Sequence, residues 1–323
     1  MQQIQEVILN NTEASAILSV QSVQSLWSEY GGIKRYFLEG GKYKSVIVKH
    51  IQFPAKPHHP KGWSTPLSHQ RKLKSYQVEC QWYRHYSQYT NEHSKIPQCH
   101  QIIEEESELL LLMEDLDASG YSIRPDIESV NLIHVKTCLS WLAHFHATFM
   151  GTEPEGLWPT GSYWHLDTRP DELARMENIT LKNAAKQIDD RLKNALFQTL
   201  VHGDAKLANF CFSNEVSVAA VDFQYIGKGC GMKDVAYFIS SCFDEAQCET
   251  YEDELLNHYF NQLQISLDKN IDFQLVKKEW MGLYKYAWAD FYRFLDGWNP
   301  GHWKMHGYSE RLAQEVLDEV SIK

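Results

Sequence analysis

Several things are missing from this chain, and each absence removes a class of protein. No run approaches the roughly 20 apolar residues a membrane helix needs, so a membrane is not expected as a partner. The N-terminus, MQQIQEVILNNTEAS, lacks the cationic flank, long apolar core and small-residue cleavage site of a secretory leader. There is no CxxC pair. The seven cysteines (Cys80, Cys99, Cys138, Cys211, Cys230, Cys242, Cys248) are odd in number and scattered. That argues against a zinc or redox motif and for free thiols in a reducing, cytoplasmic setting. Positive charge is also short: 31 Lys+Arg against 42 Asp+Glu leave a net −11, which argues against nucleic acid or an anionic membrane as main partner. Neither an internal repeat nor a low-complexity segment occurs, and no obligate protein partner is legible.

What remains is ordinary globular composition over 323 residues, enough for one two-lobed domain or two packed ones. After a short helix over 2–9, the first 51 residues read as a β-meander. Its strands are Ala16–Trp27, Ile33–Leu38 and Tyr43–Ile51, with turns at Tyr30-Gly31-Gly32 and Gly40-Gly41. Residues 54–66 form a proline-rich loop whose His58-His59 pair has no third metal ligand nearby. A helix is expected over Ser68–Tyr89 and a hairpin over 98–116, with the fully apolar run ELLLLM as its second strand. Near residue 116 the pattern changes from strands to helices. This divides the chain into an N-terminal lobe, 1–116, and a C-terminal lobe, 117–323. Helices are expected over Ile127–Met150 (apolar nearly all round), Glu172–Asn194, Tyr251–Gln264, Phe273–Trp298 and Ser309–Val320. His144 and His146, two apart in the first of these, point to different faces and read as ordinary histidines rather than ligands.

The chemistry concentrates between Thr199 and Cys242, in TLVHGDAKLANFCFSNEVSVAAVDFQYIGKGCGMKDVAYFISSC. Phosphoryl transfer asks a protein for positioning, for metal ions that neutralise phosphate oxygens, and for a carboxylate facing the acceptor hydroxyl. Asp204, in a tight loop supported by His202, suits that last task. Asn209 and Asp222 offer the few hard oxygens Mg²⁺ prefers, and Lys206 points towards the same space. Asp234 is read as capping the next helix and anchoring the loop, a plain N-cap being the alternative. Lys49 sits inside the apolar strand VIVK, where an unpartnered ammonium is costly. It either snorkels from an edge or grips a phosphate, held by Glu79 on the long helix.

At these residues the chain resembles the protein-kinase-like fold in its small-molecule branch, the choline kinase, aminoglycoside phosphotransferase and ecdysteroid-kinase-like group. HGDAKLANF fits H-x-D-x-x-x-x-N, VDFQ stands at the D-F-G position, and DVAYF matches the helix that follows. VIVK resembles the strand lysine, Glu79 its partner and LLLLMEDL the hinge between lobes. The resemblance runs from about residue 17 to 242 and implies an α+β, bilobal fold, with a small antiparallel-sheet N-lobe and a mainly helical C-lobe. It implies ATP and Mg²⁺ as cofactors, Met113 beside the adenine, and base contacts through the backbone of Glu114 and Leu116. The implied reaction moves the γ-phosphate to a small-molecule hydroxyl: choline-like, aminoglycoside-like or sterol-like.

The departures point the same way. No G-x-G-x-x-G loop is present, and Gly31 and Gly32 are left as the candidate phosphate turn. Eleven residues separate Asp222 from Asp234 and no A-P-E follows, so an activation segment has no room. Gly203 stands where an arginine would answer a phosphorylated loop. A protein kinase is therefore disfavoured. A nucleotide-binding pseudokinase is the alternative from another class. The acceptor is expected against the C-terminal helices, with Tyr284, Trp288, Asp290, Arg293 and Asp296 as candidate contacts and Asp290, Arg293 and Asp296 as the polar ones.

Overall fold

The computed structural model describes residues 2–26, 30–53 and 66–321. A first helix, α1 (Gln2–Thr12), precedes a five-stranded antiparallel sheet of order β1-β2-β3-β5-β4. Its strands are β1 (Ala16–Ser25), β2 (Gly31–Glu39), β3 (Ser45–Gln52), β4 (Cys99–Glu104) and β5 (Glu108–Glu114). Successive side chains of a strand face opposite ways, and in the central strands β3 and β5 both faces are covered. Val46, Val48, Leu110 and Leu112 pack with Ile8 of α1. Ile51, Leu109, Leu111 and Met113 join the main core on the other side. A strand buried on both faces need not alternate, which is why ELLLLM is apolar throughout.

The glycines expected at the first turn lie instead in β2, where Gly31 pairs with Ile51 and Gly32 with His50. At Gly31, φ is 120°, and a Cβ would stand 2.1 Å from the His50 carbonyl oxygen. Close strand approach is thus the reason for glycine at that position. The proline-rich loop with His58 and His59 lies outside the described residues, except for Pro66, where α2 (Pro66–Gln81) begins.

The long helix expected to Tyr89 changes character: a π-turn, Trp82–Tyr86, follows α2, and then a 3-10 turn, Ser87–Tyr89. The wider turn brings Trp82 and Tyr86 into stacked register, with Trp82 fully buried.

The C-terminal part is mainly helical: α3 (Leu132–Thr148), α4 (Pro170–Arg175), α5 (Ile179–Lys193), α6 (Met232–Cys242), α7 (Glu245–Ser266), α8 (Phe273–Trp298) and α9 (Gly307–Ser321). Two short ribbons complete it, β6 (Thr199–Val201) with β9 (Gly227–Gly229) and β7 (Phe210–Asn214) with β8 (Ser217–Ala220). The single helix expected over Glu172–Asn194 is two helices. Pro170 opens α4 at its first position, Met176 leaves it extended, and Asn178 caps α5 by accepting from the Leu181 N–H. α7 starts six residues before its expected start, because Asp244 and Gln247 form a reciprocal capping box.

Candidate active site

One cleft of about 820 Å³ runs between the sheet and the helical part. From the sheet side come β3 and α2. Lys49 stands in β3 between Ile33 and Leu111 and is buried; its Nζ donates to both oxygens of Glu79 of α2, at 2.9 and 2.6 Å. An ammonium in an apolar strand is tolerable only with such a partner. Burial works against its charge, but Glu79 and Asp222 outweigh it and hold the Lys49 pKa above its ordinary value. The edge-snorkelling alternative is thereby removed: β3 is an interior strand.

The opposite wall is the loop after β6. Its backbone turns at Gly203, where φ is 79° and a Cβ would meet the Tyr225 carbonyl oxygen at 2.1 Å. Buried Asp234 holds this turn, accepting from the His202 N–H at 2.6 Å, the Gly203 N–H at 2.9 Å and His146 Nε2 at 3.1 Å. The expected capping role is not seen. Gly231 occupies the N-cap and Asp234 is the third residue of α6, so its carboxylate faces the loop instead of its own helix end. His146 turns out to be a core link: its other ring nitrogen meets the Tyr259 hydroxyl at 2.8 Å. His202 packs against Phe223, with Nε2 on the Val221 carbonyl at 2.9 Å.

Asp204 projects from this turn into the cleft. One carboxylate oxygen accepts from the Tyr237 hydroxyl at 3.1 Å, and the other from Lys206 Nζ at 2.9 Å and the Asn209 amide at 3.2 Å. Burial would weaken the Lys206 ammonium, but Asp204 outweighs it and raises its pKa. The Asn209 amide nitrogen also donates to the Asp204 carbonyl at 2.8 Å, so its Oδ1 is the atom left to serve as a ligand.

Asp222 follows β8 with φ at 71°, a left-handed conformation that strains a residue with a side chain and recurs at functional sites. Its Oδ1 accepts from Gln224 Nε2 at 2.6 Å and lies 3.5 Å from Lys49 Nζ. Burial pushes its pKa up; Lys49, then Lys206 and Lys72, outweigh that and keep it below the ordinary carboxylate value. The next residue, Phe223, stacks on Trp82 at 4.7 Å and thereby ties Asp222 to the π-turn after α2. The five residues Lys49, Glu79, Asp204, Asn209 and Asp222 thus share one cleft, together with Lys206. Hard oxygens from Asn209 and Asp222, with little other protein ligation, suit Mg²⁺.

Met113, Glu114 and Leu116 line the same cleft where the two parts of the chain meet. The Glu114 side chain turns aside, to Lys95 Nζ at 2.7 Å and the Gln98 N–H at 2.9 Å. Gly31 and Gly32 are not among the described lining residues.

The acceptor-site expectation needs correction. Asp290 and Arg293 are fully buried and paired at 2.7 Å. Asp290 also accepts from Trp164 Nε1 at 2.9 Å, while Arg293 donates to the Trp164 carbonyl at 3.1 Å. Tyr284 and Trp288 are core residues packed on Tyr308, and Asp296 accepts from the Asn178 N–H at 3.2 Å. None of the five lines the cleft, which takes Phe291, Phe294, Leu295 and Trp298 from α8. The helix is buried on more than one side, so polar residues off the apolar stripe face other helices.

Some residues of the site escaped sequence reasoning. Gln224 joins Asp222 to α2 by accepting from Lys72 Nζ at 3.1 Å and Ser75 Oγ at 3.2 Å. Tyr237 lies in the quoted DVAYF but carries no spacing signal of its own. Lys304 comes from the irregular segment after α8; its ammonium stands over the rings of Tyr237 (4.6 Å), Phe291 (5.4 Å) and Trp303 (5.6 Å). Among the described residues the lining carries eight lysines and arginines against five carboxylates, although the chain as a whole is at −11.

Solved structures resemble this fold along nearly the whole chain. Choline kinase LicA from Streptococcus pneumoniae is 14% identical with TM-score 0.50, covering 100% of this chain and 99% of that one. Macrolide 2'-phosphotransferase MphH from Brachybacterium faecium is 10% identical with TM-score 0.51, covering 97% of each. An aminoglycoside 2'-phosphotransferase in complex with GDP is 11% identical with TM-score 0.52, covering 99% and 97%. At such identities the likeness concerns the fold, which is bilobal and protein-kinase-like. No curated protein matches by sequence. The model of the ecdysteroid kinase-like family matches residues 42–155 and 162–270, and the chain belongs to that family.

Proposed function

We propose that this chain is an ATP- and Mg²⁺-dependent kinase that phosphorylates a hydroxyl of a small molecule, with its lobes meeting at residue 116. The observation carrying this reading is the convergence of Lys49–Glu79, Asp204, Asn209 and Asp222 on one cleft. Family membership and the phosphotransferase likeness of the fold support it.

Asp204 orients the acceptor hydroxyl and takes its proton as the oxygen bonds to the γ-phosphorus and the bond to the β-phosphate oxygen breaks, leaving ADP. Asn209 and Asp222 would hold Mg²⁺. When bound, that ion neutralises the phosphate oxygens. Lys49, aimed by Glu79, grips the phosphates, and Lys206 offsets charge on the transferring group. The adenine lies beside Met113, against the backbone of Glu114 and Leu116.

Titration of the chain with Mg²⁺-ATP by calorimetry, then measurement of ADP formation across a library of hydroxyl compounds, tests this. Saturable binding with transfer to at least one compound is expected. Binding without transfer to any of them would move the chain to the nucleotide-sensing class.

Glu79→Gln keeps volume and one hydrogen bond but removes the charge opposite Lys49. A charge-assisted bond contributes about 1.5–3 kcal/mol, so nucleotide affinity should fall at least about tenfold without loss of the fold. An unchanged Kd for Mg²⁺-ATP would take the pair out of phosphate positioning.

A further inference from the structure

The acceptor end of the cleft already holds a cation. Lys304 is buried, and its ammonium faces three aromatic rings at 4.6, 5.4 and 5.6 Å, an arrangement by which proteins bind cationic ligands. Tyr237, whose ring it covers most closely, donates its hydroxyl to Asp204. The caged lysine therefore sits next to the carboxylate assigned to the acceptor hydroxyl.

Most other cations of the cleft have a carboxylate partner: Lys49 has Glu79, Arg169 has Glu172 and Lys206 has Asp204. Lys304 pairs with no carboxylate of the described residues; nor do Arg71 and Lys72, but Arg71 is tied to the Thr168 carbonyl at 2.6 Å and Lys72 to Gln224 Oε1 at 3.1 Å. Arg71 also lies close enough to the Arg169 guanidinium to be disfavoured by it. An unpaired buried cation is costly, and Lys304 marks a place in the cleft for negative charge. In the same cleft Phe294 stacks on Trp298 at 5.6 Å, and Trp298 and Trp303 are 36% and 48% exposed. Flat apolar walls of this kind suit a ring system.

We propose that the acceptor is an alcohol on an apolar ring body that also carries an anionic group, and that Lys304 holds that group. This rests on the kinase reading for the hydroxyl, but the charge preference is a property of the cleft itself. An ammonium head group would find its aromatic cage filled by the protein's own lysine and would be repelled. Burial pushes the Lys304 pKa down to about 8, with Lys206 adding to the shift and Asp204 and Cys242 opposing it. The neighbouring His302, itself lowered by burial and by Lys304, and Tyr237, whose phenol is raised by burial, are the other titratable groups facing it. The anion preference should therefore shrink as pH rises through about 8.

The test uses the full chain saturated with Mg²⁺ and a non-hydrolysable ATP analogue, so that binding is read without transfer. Three matched probes are titrated by calorimetry: hydroxymethylnaphthoate, its methyl ester, and the trimethylammonium analogue of the same ring. The carboxylate should bind at least about tenfold more tightly than the ester, with the cation weakest. Lys304→Met should erase the carboxylate's margin and leave the ester's Kd within about twofold, whereas Lys304→Arg should keep the margin. An unchanged Kd for the nucleotide analogue shows that each variant is folded. Equal affinities in the wild type, a cation that binds tightest, a margin that survives Lys304→Met, or no binding by any probe overturns the inference. Charge-selective binding with no probe phosphorylated on exchange to ATP would leave this inference standing, and the library assay would decide the kinase reading separately.

Discussion

Asp204→Ala should lower kcat by about a thousandfold while nucleotide affinity stays within about twofold. A positioned general base contributes on the order of 10² to 10⁴, and in phosphoryl transfer it also orients the incoming oxygen. Both tasks fall to this carboxylate, which Tyr237, Lys206 and Asn209 hold from three sides. Lys49, Glu79 and Asp222 remain in the variant, so the nucleotide keeps its main contacts. Asp204→Asn is the sharper companion, because it preserves shape and still accepts from Tyr237 but takes no proton. The measurement is turnover on an accepted alcohol beside the calorimetric Kd for Mg²⁺-ATP. Near wild-type turnover in either variant would remove Asp204 from the reaction.

The second large effect concerns stability and comes from Asp234. Alanine there leaves the His202 and Gly203 N–H groups and His146 Nε2 without their acceptor inside the core. Removing one member of a buried charged network costs about 3–5 kcal/mol, a large part of the 5–15 kcal/mol that holds a domain together. Thermal melting should fall by several degrees. In whatever fraction remains folded, kcat should drop more than nucleotide affinity, since the catalytic loop loses its anchor. Asp234→Asn should fall between the two, because one amide group cannot accept from both backbone donors. A melting temperature equal to the wild type's would show that the loop is held by something else.

The candidate residues that do meet in one cleft are those whose positions are set mainly by neighbours close along the chain. Asp204, Lys206 and Asn209 share one turn, and Asp222 follows a hairpin legible as an apolar run. The Lys49–Glu79 pair is long-range, yet an ammonium in an apolar strand demands a carboxylate, and few were available. What failed depended on surroundings from several elements at once. Asp290 and Arg293 read as polar contacts to the acceptor because they lie off the apolar stripe of α8, but α8 is buried on most sides and they satisfy one another instead. Asp234 begins its helix in sequence, yet its side chain serves a loop thirty residues earlier. Lys304 lies in a segment without periodicity, where no spacing rule applies, and only the fold brings it to Asp204.

The turn at Gly203 has one last consequence. A side chain there would collide with the Tyr225 carbonyl oxygen at 2.1 Å, so this backbone cannot carry the arginine that reads a phosphorylated segment in regulated kinases. With eleven residues between Asp222 and Asp234 there is also no such segment to read. A kinase of the kind proposed would need no phosphorylation at this turn to assemble its site. Its throughput would track the amount of protein made and the supply of its two substrates, as a household enzyme's does, and no upstream signal would have a latch here to lift.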